Sequence, residues 1–288
     1  MIVSAVNLAV LCLIASGLLD LVFKKYAALP RSRGMLIFGI GFVWIVMQFA
    51  LMKYTGDVIS IDKTTLIYGL VAGVFLTLSN IMLVECMGHL PISTASTIYR
   101  LNTIPLVLIA ISFLGEEINL LRALGIACGL ITVSLLYQSP QSTVQRTSSY
   151  SLFLALIILA SVIRALYVVV TKAGVNNGGD SNTMMLMAAA AWCVGGLAYA
   201  RFREHQIELN ARTIKYILTA GMLVFSIVWL LTTALTLGDA SIVTPIANMG
   251  FAAAFLFSLL FRMESIDSKK ISAIGLAILS IFLLTRSV

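Results

Sequence analysis

The sequence predicts an all-α integral membrane protein with ten transmembrane helices arranged as two inverted five-helix repeats. Three observations support this prediction. Hydrophobic residues make up 60% of the 288 residues and charged residues only 11%, whereas an average soluble domain is about 25% charged. The apolar stretches are continuous for about 20 residues, the length that a helix needs to cross a bilayer, and do not alternate as barrel strands do. The two halves of the chain also match each other at a constant offset.

Residues of the second half repeat those of the first half 148 positions earlier, without a gap. Trp192 falls on Trp44, so two of the three tryptophans agree. Further matches are Lys24 with Lys172, Lys53 with Arg201, Tyr68 with Tyr216, Gly73 with Gly221, Glu116 with Glu264 and Arg122 with Lys270. Because each repeat holds five apolar stretches, an odd number, the second repeat is expected to enter the membrane from the opposite side.

The ten helices follow from the apolar stretches and from the turn residues between them, such as Gly56-Asp57 and Asn177-Gly178. The predicted spans are 3–23, 34–53, 66–88, 91–114, 120–137, 150–171, 181–201, 214–237, 240–261 and 268–285. A stretch rich in Ser, Thr and Gln separates the fifth span from the sixth. The predicted domains are a first repeat at 1–140, a linker at 141–149 and a second repeat at 150–288.

The net charge of +7 does not predict a nucleic-acid partner, because the basic residues lie mainly in short loops between apolar spans, where membrane topology and lipid headgroups account for them. Most lie in loops 1, 3, 5, 7 and 9, which predicts that these loops are cytoplasmic and that both termini are outside. The four cysteines lie singly inside apolar spans without metal-ligand spacing. We expect a multi-pass protein of the cell (inner, cytoplasmic) membrane, with the lipid bilayer as a partner and with no metal and no cofactor.

The fourth span carries a pattern that is found in a known family. Its residues are Pro91-Ile-Ser-Thr-Ala, a mid-helix Pro105, Phe113-Leu-Gly-Glu116 and then Gly125. The pattern resembles the EamA repeat of the drug/metabolite transporter superfamily. The second copy, from Ala240 through Pro245 to Glu264, matches more loosely, since Leu-Gly-Glu is replaced by Arg-Met-Glu. The resemblance covers nearly the whole chain and implies a central cavity lined by helices 1, 3, 4, 6, 8 and 9, with helices 5 and 10 at the periphery.

Two arginines near the bilayer midplane are the first candidates for a substrate site. Arg100 is about 13 Å into the fourth span at 1.5 Å per residue, and Arg164 is similarly deep in the sixth. A charge at this depth costs about 3 kcal/mol by insertion scales, and a guanidinium suits a carboxylate or a phosphate. Their mates at the 148 offset are the neutral Asn248 and Ser16, so the charge is asymmetric across matched positions.

Polar and aromatic residues near these arginines complete the predicted site. The candidate substrate-binding residues are Arg100, Arg164, Tyr99, Asn102, Asn248, Asn80, Tyr167 and Trp229. Ser96, Arg100 and Thr103 share one stripe of the fourth span at helical spacing. For the uncharged candidates, packing or hydrogen bonding between helices is the alternative explanation.

Two acids lie towards helix ends. We expect Asp20 to pair with Lys24, one turn later, so that no acid is as deep as the two arginines. Glu85 is expected to turn towards His89 or to pair with Arg100, and it is the candidate residue for proton coupling. Glu116 and Glu264 are expected to be structural, because a carboxylate at the start of a short helix interacts favourably with the helix dipole.

These features predict a secondary transporter that moves a small polar metabolite, an amino acid or another organic anion, by alternating access. No Gly-x-x-x-x-Gly-Lys-Ser/Thr loop for ATP occurs, so a gradient would drive transport. An efflux transporter for drugs or cationic compounds is the alternative, but it would need a deep carboxylate in the first helix of each repeat, and the mate of Asp20 is Val168. An enzyme is not predicted, and a non-transporting receptor or subunit is a further alternative.

Small-residue pairs predict where helices approach closely. Gly69 and Gly73 form a GxxxG motif in the third span, and Gly125 and Gly129 form another in the fifth. We expect these motifs to pack within the monomer. A homodimer through helices 5 and 10 is the alternative.

Overall fold

The computed structural model describes residues 4–27, 31–87, 89–90, 95, 98–135, 148–205, 210–250, 253, 257 and 268–286. Within these residues the protein is helical and contains no strand. The ten helices in this part of the chain are α1 (Ala5–Ala27), α2 (Arg33–Thr55), α3 (Lys63–Met87), α4 (Thr103–Leu114), α5 (Leu120–Leu135), α6 (Ser148–Asn176), α7 (Ser181–Tyr199), α8 (Ala211–Leu237), α9 (Ala240–Asn248) and α10 (Ser268–Arg286). A π-helical turn, Ala200–Glu204, extends α7.

Six helical segments are long and apolar enough to cross a membrane by length and composition. They are Ala5–Phe23, Arg33–Thr55, Lys63–Cys86, Tyr150–Asn176, Ser181–Glu204 and Ala211–Leu237. Shorter apolar helices are Ile98–Leu114, Leu120–Thr132 and Gly275–Leu284. The number of membrane-length helices is therefore six within the described ranges, against ten predicted spans. The helix α6 begins at Ser148, inside the predicted linker, whose residues up to 147 lie outside the described part.

The predicted fourth span is not one continuous helix. Ile98, Tyr99 and Arg100 are helical, the chain turns at Leu101 and Asn102, and α4 begins at Thr103. Pro105 explains this interruption, because it has no N–H for the Leu101 carbonyl and its ring clashes with that carbonyl. The Leu101 carbonyl accepts a hydrogen bond from the Ile104 N–H instead, at 3.0 Å. Pro91 and Ser96, which belong to the predicted span, lie outside the described residues.

The corresponding helix of the second repeat is interrupted at the matching place. The helix α9 contains Pro245 and ends at Asn248, where the prediction continued the helix to 261. The next residues, Met249 and Gly250, are the mates of Leu101 and Asn102 at the 148 offset. The turn at Leu101 thus matches the turn at Met249, and Gly250, Ala253 and Phe257 are helical again after it. The predicted Glu264 turn lies outside the described residues.

The main contacts between helices repeat in the two halves of the chain. When each of α1–α5 is replaced by the helix five places later, and each of α6–α10 by the helix five places earlier, the same main pairs of helices are in contact. The first helix packs on α8 and α9, as α6 packs on α3 and α4, and α2 packs on α8 as α7 packs on α3. In three further contacts the two partners are equivalent helices of the two repeats: α2 with α7, α4 with α9 and α5 with α10. Trp44 and Trp192 meet edge to face between α2 and α7, with ring centroids 5.9 Å apart. They lie in the main hydrophobic core, to which all ten of these helices contribute.

Glycines allow the closest helix crossings. A methyl group on Gly196 of α7 would lie 2.3 Å from the backbone nitrogen of Phe38 on α2, so only glycine fits there. The GxxxG motif of α5 packs against α10, because a methyl group on Gly125 would meet Leu284, and the Ser280 hydroxyl donates a hydrogen bond to the Gly125 carbonyl at 2.6 Å. Packing of this motif within the monomer is thus confirmed, and the homodimer stays a prediction.

Candidate functional site

Three charged side chains lie well inside the helices, and one of them lies deeper than predicted. The helix α1 continues to Ala27, so Asp20 is about 10 Å from its end at 1.5 Å per residue. Arg164 lies about 24 Å from the start of α6 and about 18 Å from its end by the same measure. Arg100 precedes the turn before α4. Asp20 is therefore an acid at a depth comparable to that of Arg100.

Asp20 and Arg100 form an ion pair between Oδ2 and Nη2. The prediction that no deep acid balances the arginines is therefore wrong, and the pairing of Asp20 with Lys24 stays a prediction. The reason is the length of α1, which continues beyond the apolar stretch and places Asp20 at the level of Arg100. Lys24 lies in α1, but its side chain is outside the described part of the structure.

Arg100 also contacts its own mate at the 148 offset. Its Nη1 donates a hydrogen bond to the Asn248 carbonyl at 3.2 Å, and Asn248 Nδ2 donates to Asn102 Oδ1 at 2.6 Å and to Thr103 Oγ1 at 3.1 Å. The last carbonyls of a helix have no partner within that helix, and a cation near them interacts favourably with the helix dipole. Arg100 thus satisfies the C-terminal end of α9 and joins the two repeats.

A cleft opens beside this junction. It is lined by Arg100, Thr103, Ile126, Gly129, Leu130, Pro245, Asn248 and Met249. Its cavity volume is about 10 Å³, room for about one water molecule. The predicted candidates Arg100 and Asn248 both reach it, and Asn102 is buried beside them with 3% of its surface exposed.

Arg164 has a different environment. Its guanidinium carbon lies 5.1 Å from the centroid of the Tyr167 ring, a cation–π contact with a residue that is 3% exposed. Its charge also acts on the Cys12 thiol of α1. Within the described ranges Arg164 forms no hydrogen bond and no ion pair. Arg164 is therefore the mid-depth cation that has no acid beside it in this part of the structure.

The remaining uncharged candidates are less closely grouped. The Tyr99 hydroxyl donates to Ser79 Oγ at 3.3 Å, and Tyr99 lies near enough to Tyr167 for the two to interact electrostatically. Asn80 donates to the Leu76 carbonyl of its own helix at 2.7 Å. Trp229 is half-buried against the main core. The structure thus groups Arg100 with Asn102 and Asn248, and Arg164 with Tyr167 and Tyr99.

Glu85 lies apart from this group, near the end of α3. It accepts hydrogen bonds from the Tyr199 hydroxyl at 2.7 Å and from Arg203 Nε at 2.9 Å, and His89 Nε2 is 3.9 Å away. The expected approach of Glu85 to His89 is confirmed, and the alternative pairing with Arg100 is wrong because Asp20 takes that place. Arg203 was not among the predicted partners of Glu85, because it lies beyond the predicted seventh span, which ends at 201, on the π-helical turn that follows α7. The coupling role of Glu85 stays a prediction.

Further charged residues hold the ends of α8 and α9. Glu116 accepts hydrogen bonds from the N–H groups of Ala240 at 2.8 Å and Ser241 at 2.9 Å, and from the Ser241 hydroxyl. The predicted structural role of Glu116 is confirmed, but the helix that it caps is α9 of the other repeat. Lys172 Nζ donates to the carbonyls of Leu235 at 2.6 Å and Gly238 at 2.8 Å, at the end of α8. The match of Lys172 with Lys24 at the 148 offset was the feature of the sequence that could have indicated a structural role for Lys172.

Comparisons with known proteins agree with this fold. Residues 151–286 match the EamA-like transporter family. They form the half of the chain in which the EamA pattern is the looser one. A protein of known crystal structure has a similar fold, with a TM-score of 0.84 and 13% identity over 98% of this chain and 96% of that chain. At this identity the likeness shows the fold alone. Comparison with curated proteins gives no match.

The fold and the family match lead to the same class of protein. The helices are apolar and long, as a multi-pass membrane protein requires. The matched residues run from the start of α6 to the end of α10. This chain is a helical, transporter-like membrane protein whose residues 151–286 match the EamA-like transporter family, which belongs to the drug/metabolite transporter superfamily.

Proposed function

We propose that the chain is a secondary transporter of the cell (inner, cytoplasmic) membrane that moves a small organic anion or an amino acid by alternating access. In this proposal two inverted five-helix repeats surround a central cavity. The exchange of helix contacts between α1–α5 and α6–α10 supports the repeats. The matched interruptions after Arg100 and Asn248 support a binding site between them, because discontinuous helices at corresponding positions often form transporter sites.

The charge balance at mid-depth is the observation that carries the proposal. Asp20 and Arg100 neutralise each other, and Arg164 is left with an aromatic neighbour and no acid among the described residues. An ionised side chain inside a membrane is costly unless it is paired or lines a polar path. A substrate carboxylate would supply the missing charge, and a guanidinium offers it two parallel hydrogen bonds. A monoanion, or the carboxylate end of an amino acid, would make the site neutral.

The structure also bears on efflux of cationic compounds. Asp20 lies deep in α1, as that alternative requires. Its charge is matched by Arg100, however, and the equivalent position in α6 is Val168. A cation would therefore have to displace Arg100 and would add to the charge of Arg164. The balance of charges favours an anion.

Uptake by reconstituted vesicles tests this proposal. Purified protein in liposomes is offered radiolabelled L-lactate, benzoate, L-glutamate, L-glutamine or tetraphenylphosphonium. We expect uptake of at least one carboxylate. We also expect Arg164→Gln to reduce it by about tenfold or more, since a hydrogen bond to a charged group contributes about 1.5–3 kcal/mol. Arg201→Gln is the matched control, because Arg201 is an exposed arginine on the π-helical turn.

Two results would refute the proposal: unchanged carboxylate uptake in the Arg164 variant, or uptake of the phosphonium cation alone. Arg100→Ala is less informative. It removes a partner from Asp20 and from the Asn248 carbonyl, so we expect loss of stability together with loss of transport.

A further inference from the structure

The basic end of the bundle is the region where α1, α3 and α7 end and where α2 and α8 begin. Contacts between distant residues hold these helix ends together: Glu204 accepts a hydrogen bond from the Arg33 N–H at 2.9 Å, and Arg203 pairs with Glu85. The carboxylates among the described residues there are Glu85 and Glu204, and the cations are Lys25, Arg31, Arg33, Arg201, Arg203, Arg212 and Lys215. The described part of this end therefore carries a net positive charge.

Arg31 is held at the basic end by two aromatic rings. Its guanidinium carbon lies 5.3 Å from the centroid of the Tyr26 ring on α1 and 4.9 Å from that of the Tyr216 ring on α8. The two rings meet edge to face, with centroids 5.5 Å apart. Among the described residues Arg31 has no hydrogen-bond partner and no ion pair, and its Nη1 is buried without an acceptor. The two tyrosines thus orient a guanidinium whose charge no described acid neutralises.

Glu204 is close to this guanidinium but serves a different purpose. It lies near enough to Tyr26 to interact electrostatically with it. Its oxygens accept hydrogen bonds from the Ser32 hydroxyl at 2.6 Å and from the N–H groups of Arg33 and Gly34 at 2.9 and 3.1 Å. These groups belong to the start of α2, whose first N–H groups have no partner within the helix. The carboxylate is therefore occupied by the end of α2.

The first turns of α8 add cations that the helix itself disfavours. Arg212 and Lys215 are exposed there, although the helix dipole repels a cation near a helix N-terminus. Arg212 is four residues before Tyr216, so it lies on the same face of α8 as the ring that contacts Arg31. An anion at this place would interact favourably with both arginines and with the start of the helix.

The outer surface of α8 indicates which kind of anion fits. Ile214, Leu218 and Met222 recur at every fourth residue and are 46%, 44% and 48% exposed. They form an apolar stripe about 12 Å long at 1.5 Å per residue, close to the ~15 Å of one half of a hydrocarbon core. Lys215 is three residues before Leu218 and therefore lies beside this stripe. A lipid chain along the stripe would bring its phosphate to the start of α8.

We propose that the basic end binds the phosphate group of an anionic phospholipid. Arg31, oriented by its two tyrosines, donates hydrogen bonds to the phosphate oxygens, and Arg212 and Lys215 add positive charge. The apolar stripe of α8 contacts an acyl chain of the same lipid. Basic residues at a membrane surface attract anionic lipids, and basic pockets between helices bind their headgroups. This site lies away from Arg164, so the inference does not depend on the proposed transport.

Lipid affinity is the first test. Purified protein in detergent is titrated with dioleoylphosphatidylglycerol, which is anionic, and with dioleoylphosphatidylcholine, which has the same chains and a phosphate but no net charge. Native mass spectrometry counts the bound lipids. We expect the anionic lipid to bind at least tenfold more tightly. Equal affinities for the two lipids overturn the proposal.

A matched pair of double variants locates the site. Arg212→Gln with Lys215→Gln should weaken binding of phosphatidylglycerol by about 25-fold, or about fivefold for each cation removed. The control is Lys53→Gln with Lys63→Gln, at the opposite ends of α2 and α3. All four side chains are exposed, so we expect both variants to fold. An equal loss in the two variants overturns the proposal.

The role of Arg31 and the source of the phosphate are tested together. Arg31→Gln should weaken binding of phosphatidylglycerol by about tenfold, because a hydrogen bond to a charged group is lost, and Arg31→Lys, which keeps the charge, should lose less. Inorganic phosphate and glycerol 3-phosphate are then added as soluble competitors. We expect neither to displace the lipid. Displacement by either compound, or undiminished lipid binding in Arg31→Gln, overturns the proposal.

Discussion

Replacing Glu116 by alanine is expected to destabilise the protein by about 3 kcal/mol. The side chain is 8% exposed and accepts hydrogen bonds from the N–H groups of Ala240 and Ser241, at 2.8 and 2.9 Å, at the start of α9. Loss of a helix N-cap costs about 1 kcal/mol, and a hydrogen bond to a charged group contributes about 1.5–3 kcal/mol. We expect a cost at the upper end of these values, because Glu116→Ala leaves the buried N–H groups of Ala240 and Ser241 without an acceptor.

Thermal unfolding in detergent measures this effect. A loss of 3 kcal/mol corresponds to about 6–12 °C, since large domains shift by about 2–4 °C for each kcal/mol. Glu116→Gln should lose roughly half as much, because the amide oxygen still accepts but carries no charge. Glu117→Gln is the control, since Glu117 is the adjacent acid and is exposed. Equal shifts for Glu116→Ala and Glu117→Gln would refute the capping of α9 by the first repeat.

Four further changes test other parts of the fold by the same assay. Gly196→Ala should cost about 1–3 kcal/mol by overpacking, because its methyl group would lie 2.3 Å from the α2 backbone, whereas Gly275→Ala has open space and should gain about 0.5–1 kcal/mol. Lys172→Met should cost about 1–2 kcal/mol, because two carbonyls at the end of α8 lose their donor. Hydrogen bonds from the Ser60 hydroxyl and from Thr65 lower the pKa of Asp62 from 3.8 to about 2. The wild type should therefore lose stability as the pH falls from 3.8 towards about 2, and Asp62→Asn should lose less over that interval.

The repeat read from the sequence predicted more of the structure than the individual residues did. Trp44 and Trp192 are equivalent positions and touch each other, as do Arg100 and Asn248. Equivalent residues of two symmetric halves meet only near the axis that relates them. The direct contact of such pairs was therefore implicit in the offset, and it was not used to predict the Arg100–Asn248 hydrogen bond.

The partners of the charged residues were harder to predict, for two physical reasons. The predicted first span ends at residue 23, but α1 continues to Ala27, so Asp20 lies farther from the helix end than the apolar stretch indicates, and its partner Arg100 is distant in the sequence. Glu116 caps a helix more than a hundred residues away, and local sequence patterns carry no information on which distant helix end a carboxylate will meet.

The central proposal is that Arg164 binds the anionic group of a substrate. It is tested most directly by pairs of compounds that differ in one charge. The melting temperatures of the wild type and of Arg164→Gln are measured with L-lactate and lactamide, benzoate and benzamide, and L-glutamate and L-glutamine. A ligand that binds the native state raises the melting temperature. We predict that at least one carboxylate stabilises the wild type, that its amide does not, and that Arg164→Gln loses the response. Equal stabilisation by the amide, or an undiminished response in Arg164→Gln, would contradict the account.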